Sequence, residues 1–357
     1  MDETRRQMPQ AATHDPPADE VTVEPHELRF GDGAIALLRR GINRASGSFR
    51  ALGTLAALGL IWLYFSLSSQ YFFTTANIWN IFLQAANVGI IAAGLTVVMI
   101  AAEIDLSIGS LEALSGSVAA VVIIKYGQSI WLGIAAALGA AVLAGAISGL
   151  ITWKLKIVSF ISTLAMLGIA QGIAFLLTNG HAIAGFGNTY DKIGTATIHG
   201  FPGAAIIALG VFVALHLMLT RTKLGLQIYA VGGNSEAAAY AGIRPGRVKL
   251  IALMISGFTG GIGGLILSSR LDAGNGLFGA GDLLAAVAAV VIGGTSLFGG
   301  VGSVVGTAIG VVMIASINNG LILLNIPDFW QEIVVGGIII AAMAIDQLAK
   351  AARLSVL

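Results

Sequence analysis

Ten apolar stretches follow one another along this chain, at about residues 51–69, 78–102, 108–124, 129–151, 157–178, 201–219, 249–269, 282–293, 303–320 and 328–346. Short polar or glycine-rich breaks separate them. Several runs reach the ~18 residues that span the hydrocarbon core of a bilayer. A peptide backbone in lipid must satisfy its own hydrogen bonds, so each run predicts a transmembrane helix. The eighth is the weakest, because 282–293 is short and Gly293-Gly-Thr-Ser-Leu-Phe-Gly-Gly300 follows it. The expected fold class is all-α, a polytopic membrane protein of about ten helices.

The polar stretches divide the chain. Residues 1–50 hold acids, prolines and two histidines, then a basic amphipathic segment in which Arg39, Arg40 and Arg44 alternate with Ile35, Leu37, Leu38 and Ile42. The first part predicts a disordered tail and the second a segment lying at an anionic membrane surface. The transmembrane domain then occupies 51–357. Its longest polar interruption is 220–249, which carries Arg221, Lys223, Arg244, Arg247 and Lys249. Within it a short helix has both ends marked: Asn234 or Ser235 can cap its first N–H groups, Gly242 can take the left-handed position, and Pro245 stops continuation. About two turns of helix cannot stand alone in water, so this elbow needs a surface to pack on.

Charge sets the orientation. With the N-terminus inside, the inner side receives Arg5, Arg6, Arg29, Arg39, Arg40, Arg44, Arg50, Lys154, Lys156, the five basic residues of the elbow, Lys350 and Arg353, and the outer side only Lys125, Lys192 and Arg270. Sixteen against three, together all 19 Lys and Arg, satisfies the positive-inside rule, with both termini and the elbow cytoplasmic. Losing one span would spoil the bias. An internal echo agrees. Leu155-Lys-Ile-Val-Ser-Phe160 opens the fifth span and Leu324-Asn-Ile-Pro-Asp-Phe329 the tenth, on opposite sides. Asp105-Leu106 and Asp282-Leu283 form a weaker pair. Matching segments of opposite orientation predict an inverted repeat, spans 2–5 against 7–10.

Composition narrows the chemistry. Charged residues make up 10% of the 357 and apolar ones 56%, against about 25% charged in soluble domains. The 48 glycines fit close helix packing in lipid. There is no cysteine and no Gly-x-x-x-x-Gly-Lys-Ser/Thr loop, so thiol metal sites are excluded and ATP is not expected to be hydrolysed by this chain. No His/Asp/Glu grouping has metal-site spacing and no nucleophile–base set stands out; the chain reads as a non-enzyme that binds no cofactor or metal. Glu103, Asp105 and Glu112 stand between two apolar runs, where acids are costly. Asp105, with Ser107 as helper, reads as a cap on the third span beside Glu103, while Glu112 lies deeper. The alternative use of the three carboxylates is ion or proton coupling. Gln84, Asn87, Gln171, Asn318 and Asn319 lie in or near spans and suit either a polyhydroxylated solute or interhelical bonding; Phe160 and Phe329 join them as candidates for lining a pathway. The 179–201 loop, with Phe186, Tyr190, Asp191 and His199, reads as a solvated connector or a docking surface for an external partner.

Three ordered stretches resemble the ribose/xylose-type ABC-importer permeases. Glu103-Ile-Asp-Leu-Ser-Ile-Gly-Ser-Leu-Glu-Ala-Leu-Ser-Gly116 is similar to their signature after the second span. Ala288-Ala-Val-Val-Ile-Gly-Gly-Thr-Ser-Leu-Phe-Gly-Gly-Val-Gly-Ser303 is similar to their second, and 225–243 to their cytoplasmic coupling segment. The resemblance covers roughly 70–346. It implies a permease subunit, paired with a second copy, that forms the pathway for a monosaccharide or polyol in a bacterial inner membrane. It also implies a separate ATPase holding ATP and magnesium, and a periplasmic or lipid-anchored sugar-binding protein. Glu236, Ala237, Ala238 and Gly242 match the start of the wider Glu-Ala-Ala-x-x-x-Gly coupling motif. Together with Asn234, Ser235, Tyr240 and Arg244 they form the expected ATPase contact. After Gly242 the sequence departs from that motif.

Overall fold

The computed structural model describes residues 53–354; the predicted tail and basic segment over 1–50 lie outside them. All ten predicted spans are helical. They form α1 (Gly53–Ser68), α2 (Thr75–Ile100), α3 (Ile108–Ala120), lengthened by a π turn through Lys125, α4 (Ile130–Lys154) and α5 (Ser159–Thr178). After α6 (Asn188–Thr195) come α7 (Gly203–Arg221), α8 (Lys223–Gly233), α9 (Ser235–Tyr240) and α10 (Pro245–Arg270). The chain ends with α11 (Asp282–Ile292), α12 (Val304–Leu323) and α13 (Asp328–Leu354). Seven of these, α2, α3 with its π turn, α4, α5, α7, α10 and α12, are long and apolar enough to cross a membrane; α1, α11 and α13 carry shorter apolar helical stretches. The weak eighth span is α11, which stops at Gly293 where Gly294 turns with φ +86°.

Two groups of four helices, α2–α5 and α10–α13, run in opposite directions and exchange their first members. The end of α2 lies beside α8, where a Cβ on Gly232 would strike the Ile100 carbonyl, and that carbonyl accepts from the Gly300 N–H at 2.9 Å. α10 starts at that same end, where a Cβ on Gly246 would strike Trp153 at the end of α4. α10 packs on α3 and α4, while α2 packs on α11 and α12. Matching helices also stop alike. Ala102 and Asp272, each two residues beyond the end of α2 or α10, have φ of 59° and 49°. Lys156 and Asn325, two beyond α4 and α12, both have φ of 56°. Non-glycine residues seldom adopt this conformation, so the Leu-x-Ile echo is one chain reversal used twice. The Asp105/Asp282 echo is not equivalent in space: Asp105 precedes α3 by three residues, whereas Asp282 is the first residue of α11.

Small residues set the closest approach. Along α4, Gly145-Ala-Ile-Ser-Gly149 faces α10, and a Cβ on Gly145 or Gly257 would run into the facing carbonyl of Leu253 or Ala141. Helices that touch at the backbone gain dispersion contacts that lipid tails cannot match. A separate apolar core joins α1, α2, α11, α12 and α13 around Phe65, Phe72, Ile81, Leu95 and Ile314, and Trp62 donates to Ser316 Oγ at 2.9 Å.

The 179–201 loop is ordered by contacts through α6, while most of its residues, His199 among them, stay exposed. It holds α6 and two short antiparallel pairs, Ile183–Ala184 with Ala273–Gly274 and Thr197–Ile198 with Phe201–Pro202. Tyr190 is fully buried, stacked on Phe186 at 4.0 Å, and its hydroxyl meets Ser268 Oγ at 2.8 Å. Burial raises the pKa of this phenol. α6 thus sits as a plug on the end of α10, and the rest of the loop remains largely exposed.

Candidate functional site

The elbow is two helices, not one. Thr222 caps α8 by accepting from the Gly225 N–H at 3.2 Å. Asn234 caps α9, its Oδ1 accepting from the Ala237 N–H at 2.9 Å, and Ser235 is the first helical residue. Gly242 has φ +83°, and the Gly242 and Ile243 N–H groups bond to the Ala239 and Ala238 carbonyls at 3.0 Å each. This is the glycine stop that frees the chain to turn, and Pro245 then opens α10. The missing surface for so short a helix is supplied by Ala238, buried among Leu219, Ile228, Val231, Val248 and Val304. Glu236, Ala237 and Arg244 face outward, and Tyr240 is 93% exposed. α9 is therefore anchored on one side and bare on the other.

The elbow is tied to the ends of the membrane helices. Tyr229 of α8 donates to the Gly302 carbonyl at 2.8 Å, and burial raises its pKa. Lys249 in the first turns of α10 forms an ion pair with Glu103 just beyond α2. Asp105 Oδ1 accepts from the Ser107 N–H at 2.8 Å and the Ser107 hydroxyl at 2.6 Å. Ser107 is the residue at the N-cap position, with no side-chain bond of its own to the helix. The cap is thus an Asp105 turn that holds Ser107, not an acid in the first turn of α3. Further along, Leu106 donates its N–H to Thr163 Oγ1 at 3.1 Å, tying this turn to α5. Glu103 and Asp105 both have structural partners.

The amides part company. Gln84, Asn87 and Asn318 come together on the wall of a cavity of about 200 Å³ between α2, α10, α11 and α12, which Arg270 and Asp282 also line. Behind the wall lies Glu112, fully buried. Asn87 Nδ2 donates to Glu112 Oε1 at 3.0 Å and to Asp282 Oδ2 at 2.9 Å. The sequence placed Arg270 and Asp282 at span ends without joining them to the amides; residues as far apart as Asn87 and Asp282, 195 positions, carry no local pattern. Gln171 is directed elsewhere, to the Gly276 carbonyl at 3.5 Å. Phe160 and Phe329 open α5 and α13, are 47% and 63% exposed, and do not line this cavity.

Asn319 is not a lining residue either. It forms a reciprocal amide pair with Asn77, both bonds 2.9 Å, and Asn77 Nδ2 also donates to the Phe72 carbonyl. Asn319→Leu is expected to destabilise the protein by about 1–2 kcal/mol, since it strands a buried amide. Adding Asn77→Leu should cost less than a second independent loss. A double-mutant cycle of melting temperatures in detergent measures the coupling, and strict additivity would show that the pair contributes nothing.

A helical membrane bundle with a polar cavity in its interior and a capped, half-exposed helix at one end has the build of a transmembrane permease. The family model described as branched-chain amino acid transport system / permease component matches residues 77–343, and the chain belongs to that family. Among its relatives are sugar permeases. It is 39% identical over 298 residues to the ribose import permease protein of Escherichia coli K12, covering 82% of this chain and 92% of that protein. With the ribose import permease protein of Bacillus subtilis 168 the identity is 38% over 303 residues, 84% and 94% of the two chains. With the xylose transport system permease protein of E. coli K12 it is 36% over 375 aligned positions, 85% and 95%. No solved structure matches.

Proposed function

We propose that this chain is the membrane subunit of an ATP-driven, binding-protein-dependent importer of a monosaccharide or polyol. The observation that carries the reading is α9. Its buried face is one alanine wide, its outer face is bare, and it connects through Tyr229, Lys249 and the Ile100–Gly300 bond to the ends of α2, α10 and α12. A separate ATPase seated on Glu236, Ala237, Tyr240 and Arg244 would push on three helices at once. ATP and magnesium belong to that partner. All ten apolar helices cross a bacterial inner membrane in this reading, both termini and the elbow are cytoplasmic, a second permease copy completes the transporter, and a periplasmic or lipid-anchored binding protein supplies the sugar.

The test is reconstitution of the chain with its ATPase and binding protein in proteoliposomes. Uptake should require ATP and both partners; uptake by this chain alone, without ATP, would overturn the reading. The double variant Glu236→Ala/Tyr240→Ala changes only exposed side chains, so its melting temperature should stay within the range of ordinary surface substitutions, about 0.5 kcal/mol. Sugar-stimulated ATP hydrolysis and uptake should both fall at least tenfold. Undiminished uptake in this variant would place the ATPase contact elsewhere.

A further inference from the structure

The cavity between α2, α10, α11 and α12 has a chemistry that selects its occupant. Asn87 is only 4% exposed, and its Nδ2 is committed to two carboxyl groups, which fixes the amide so that Oδ1 is the atom left over. Among the described residues no donor reaches Asn87 Oδ1 or Asn318 Oδ1, and both atoms are closed off just behind the cavity surface. A buried acceptor without a donor is costly, so a small side-chain turn that brings either oxygen to the cavity surface is favoured when a ligand there offers an O–H or N–H. Opposite charges rule on the rest. The Arg270 guanidinium on the wall disfavours a cation, and the Asp282 carboxylate disfavours an anion. Gln84 and Arg270 supply donors, while Asn87, Asn318 and Asp282 supply acceptors. A hydroxyl group both donates and accepts, so a small, neutral, hydroxyl-rich solute satisfies every member of the set.

A second cavity shares a wall residue with the first. Arg270 lines a second cavity of about 410 Å³, bounded by Trp79, Asn80, Thr195 and Thr197, beside the α6 plug at the end away from the elbow. One side chain therefore forms part of both walls.

We infer that the 200 Å³ cavity is a transient binding site for the monosaccharide within a single permease subunit, reached from the outer cavity past Arg270. This inference rests on the importer reading above, which places the plug end outside.

The absence of cysteine from the natural sequence makes the test clean. Asn318→Cys and, on another wall of the cavity, Gln84→Cys are each introduced singly, and the rate of modification by a small methanethiosulfonate reagent is measured on the purified full chain. D-ribose, D-xylose and D-allose are added in turn, with sodium chloride as the competing probe. The expected result is modification of both cysteines, slowed at least threefold by one of the sugars and unchanged by salt; the unsubstituted protein does not react. Modification at both positions with no protection by any sugar that the reconstituted wild-type complex imports would overturn the site. Protection by sodium chloride alone would also overturn it, in favour of a cation. If the wild-type complex imports no sugar, the importer reading fails, whereas protection of the isolated chain still registers the site by itself.

Discussion

Gly232→Ala is expected to destabilise the protein by about 3 kcal/mol or more, and Gly233→Ala beside it by almost nothing. Gly232 lies on the buried side of α8, where a Cβ would collide with the Ile100 carbonyl and crowd the Gly300 N–H. Those two groups are bonded to each other at 2.9 Å, so the methyl would wedge apart the junction where the end of α2, the 293–303 loop and α8 meet. Overpacking a core usually costs about 1–3 kcal/mol when side chains can give way; here the obstacle is backbone, which has less room to move. Nothing lies within 4 Å of a Cβ on Gly233, and replacing a helical glycine by alanine is otherwise favourable by up to about 1 kcal/mol. Melting of the two purified variants in detergent decides the matter, and similar melting temperatures would mean that the junction is loose. The same measurement bears on function, because the junction is the joint through which α9 reaches α2.

Much of this architecture is legible before any coordinates, for a simple reason. In lipid, an apolar run of sufficient length has little choice but to be a helix, so the spans and their order follow from the runs. The caps on α9 are equally local: Asn234, Gly242 and Pro245 act within a few residues of themselves, and each does what its chemistry dictates. α8 was not legible. Lys223-Leu-Gly-Leu-Gln-Ile-Tyr-Ala-Val-Gly-Gly233 is rich in glycine and reads as a loop, and its helix is stabilised by burying Ile228 and Val231 against α2 and α10, partners more than ten residues away. α6 escaped for the same reason, held by Tyr190 against Ser268.

The candidate pathway residues show where local reasoning stops. Gln84, Asn87, Gln171, Asn318 and Asn319 are indistinguishable in sequence, all amides in or near apolar runs. The register of each helix separates them. Asn318 faces the cavity, while Asn319, one residue and about 100° further round, faces α2 and pairs with Asn77. The carboxylates divide on similar grounds. Glu103 and Asp105, at a helix boundary, are absorbed by an ion pair and a turn, whereas Glu112 takes its partner, Asn87, from α2, and Asn87 also bonds Asp282 of α11.

That last arrangement yields a sharp prediction, since it separates two ways of driving transport. Glu112 sits in a niche shaped by glycines: a Cβ on Gly263 would strike Glu112 Oε1, and one on Gly279 would come 2.6 Å from Oε2. Asn87 Nδ2 donates both to Glu112 Oε1 and to Asp282 Oδ2, which brings the two carboxyl groups to one amide. Glu112→Gln keeps the volume and an oxygen for Asn87, and it offers an N–H to Asp282. Its expected cost is about 1 kcal/mol or less, the net value of an ordinary hydrogen bond. Glu112→Ala empties the niche and strands the amide, so about 3 kcal/mol should be lost. If ATP hydrolysis on a partner drives import, Glu112→Gln should retain most of the wild-type uptake in proteoliposomes and should be indifferent to a protonophore. A transporter that loads a proton on Glu112 would behave differently: the glutamine variant would fold, melt near the wild-type temperature and carry nothing. A folded, inactive Glu112→Gln would therefore make this carboxylate part of the transport cycle, and full activity confines it to packing α3 against α2 and α11.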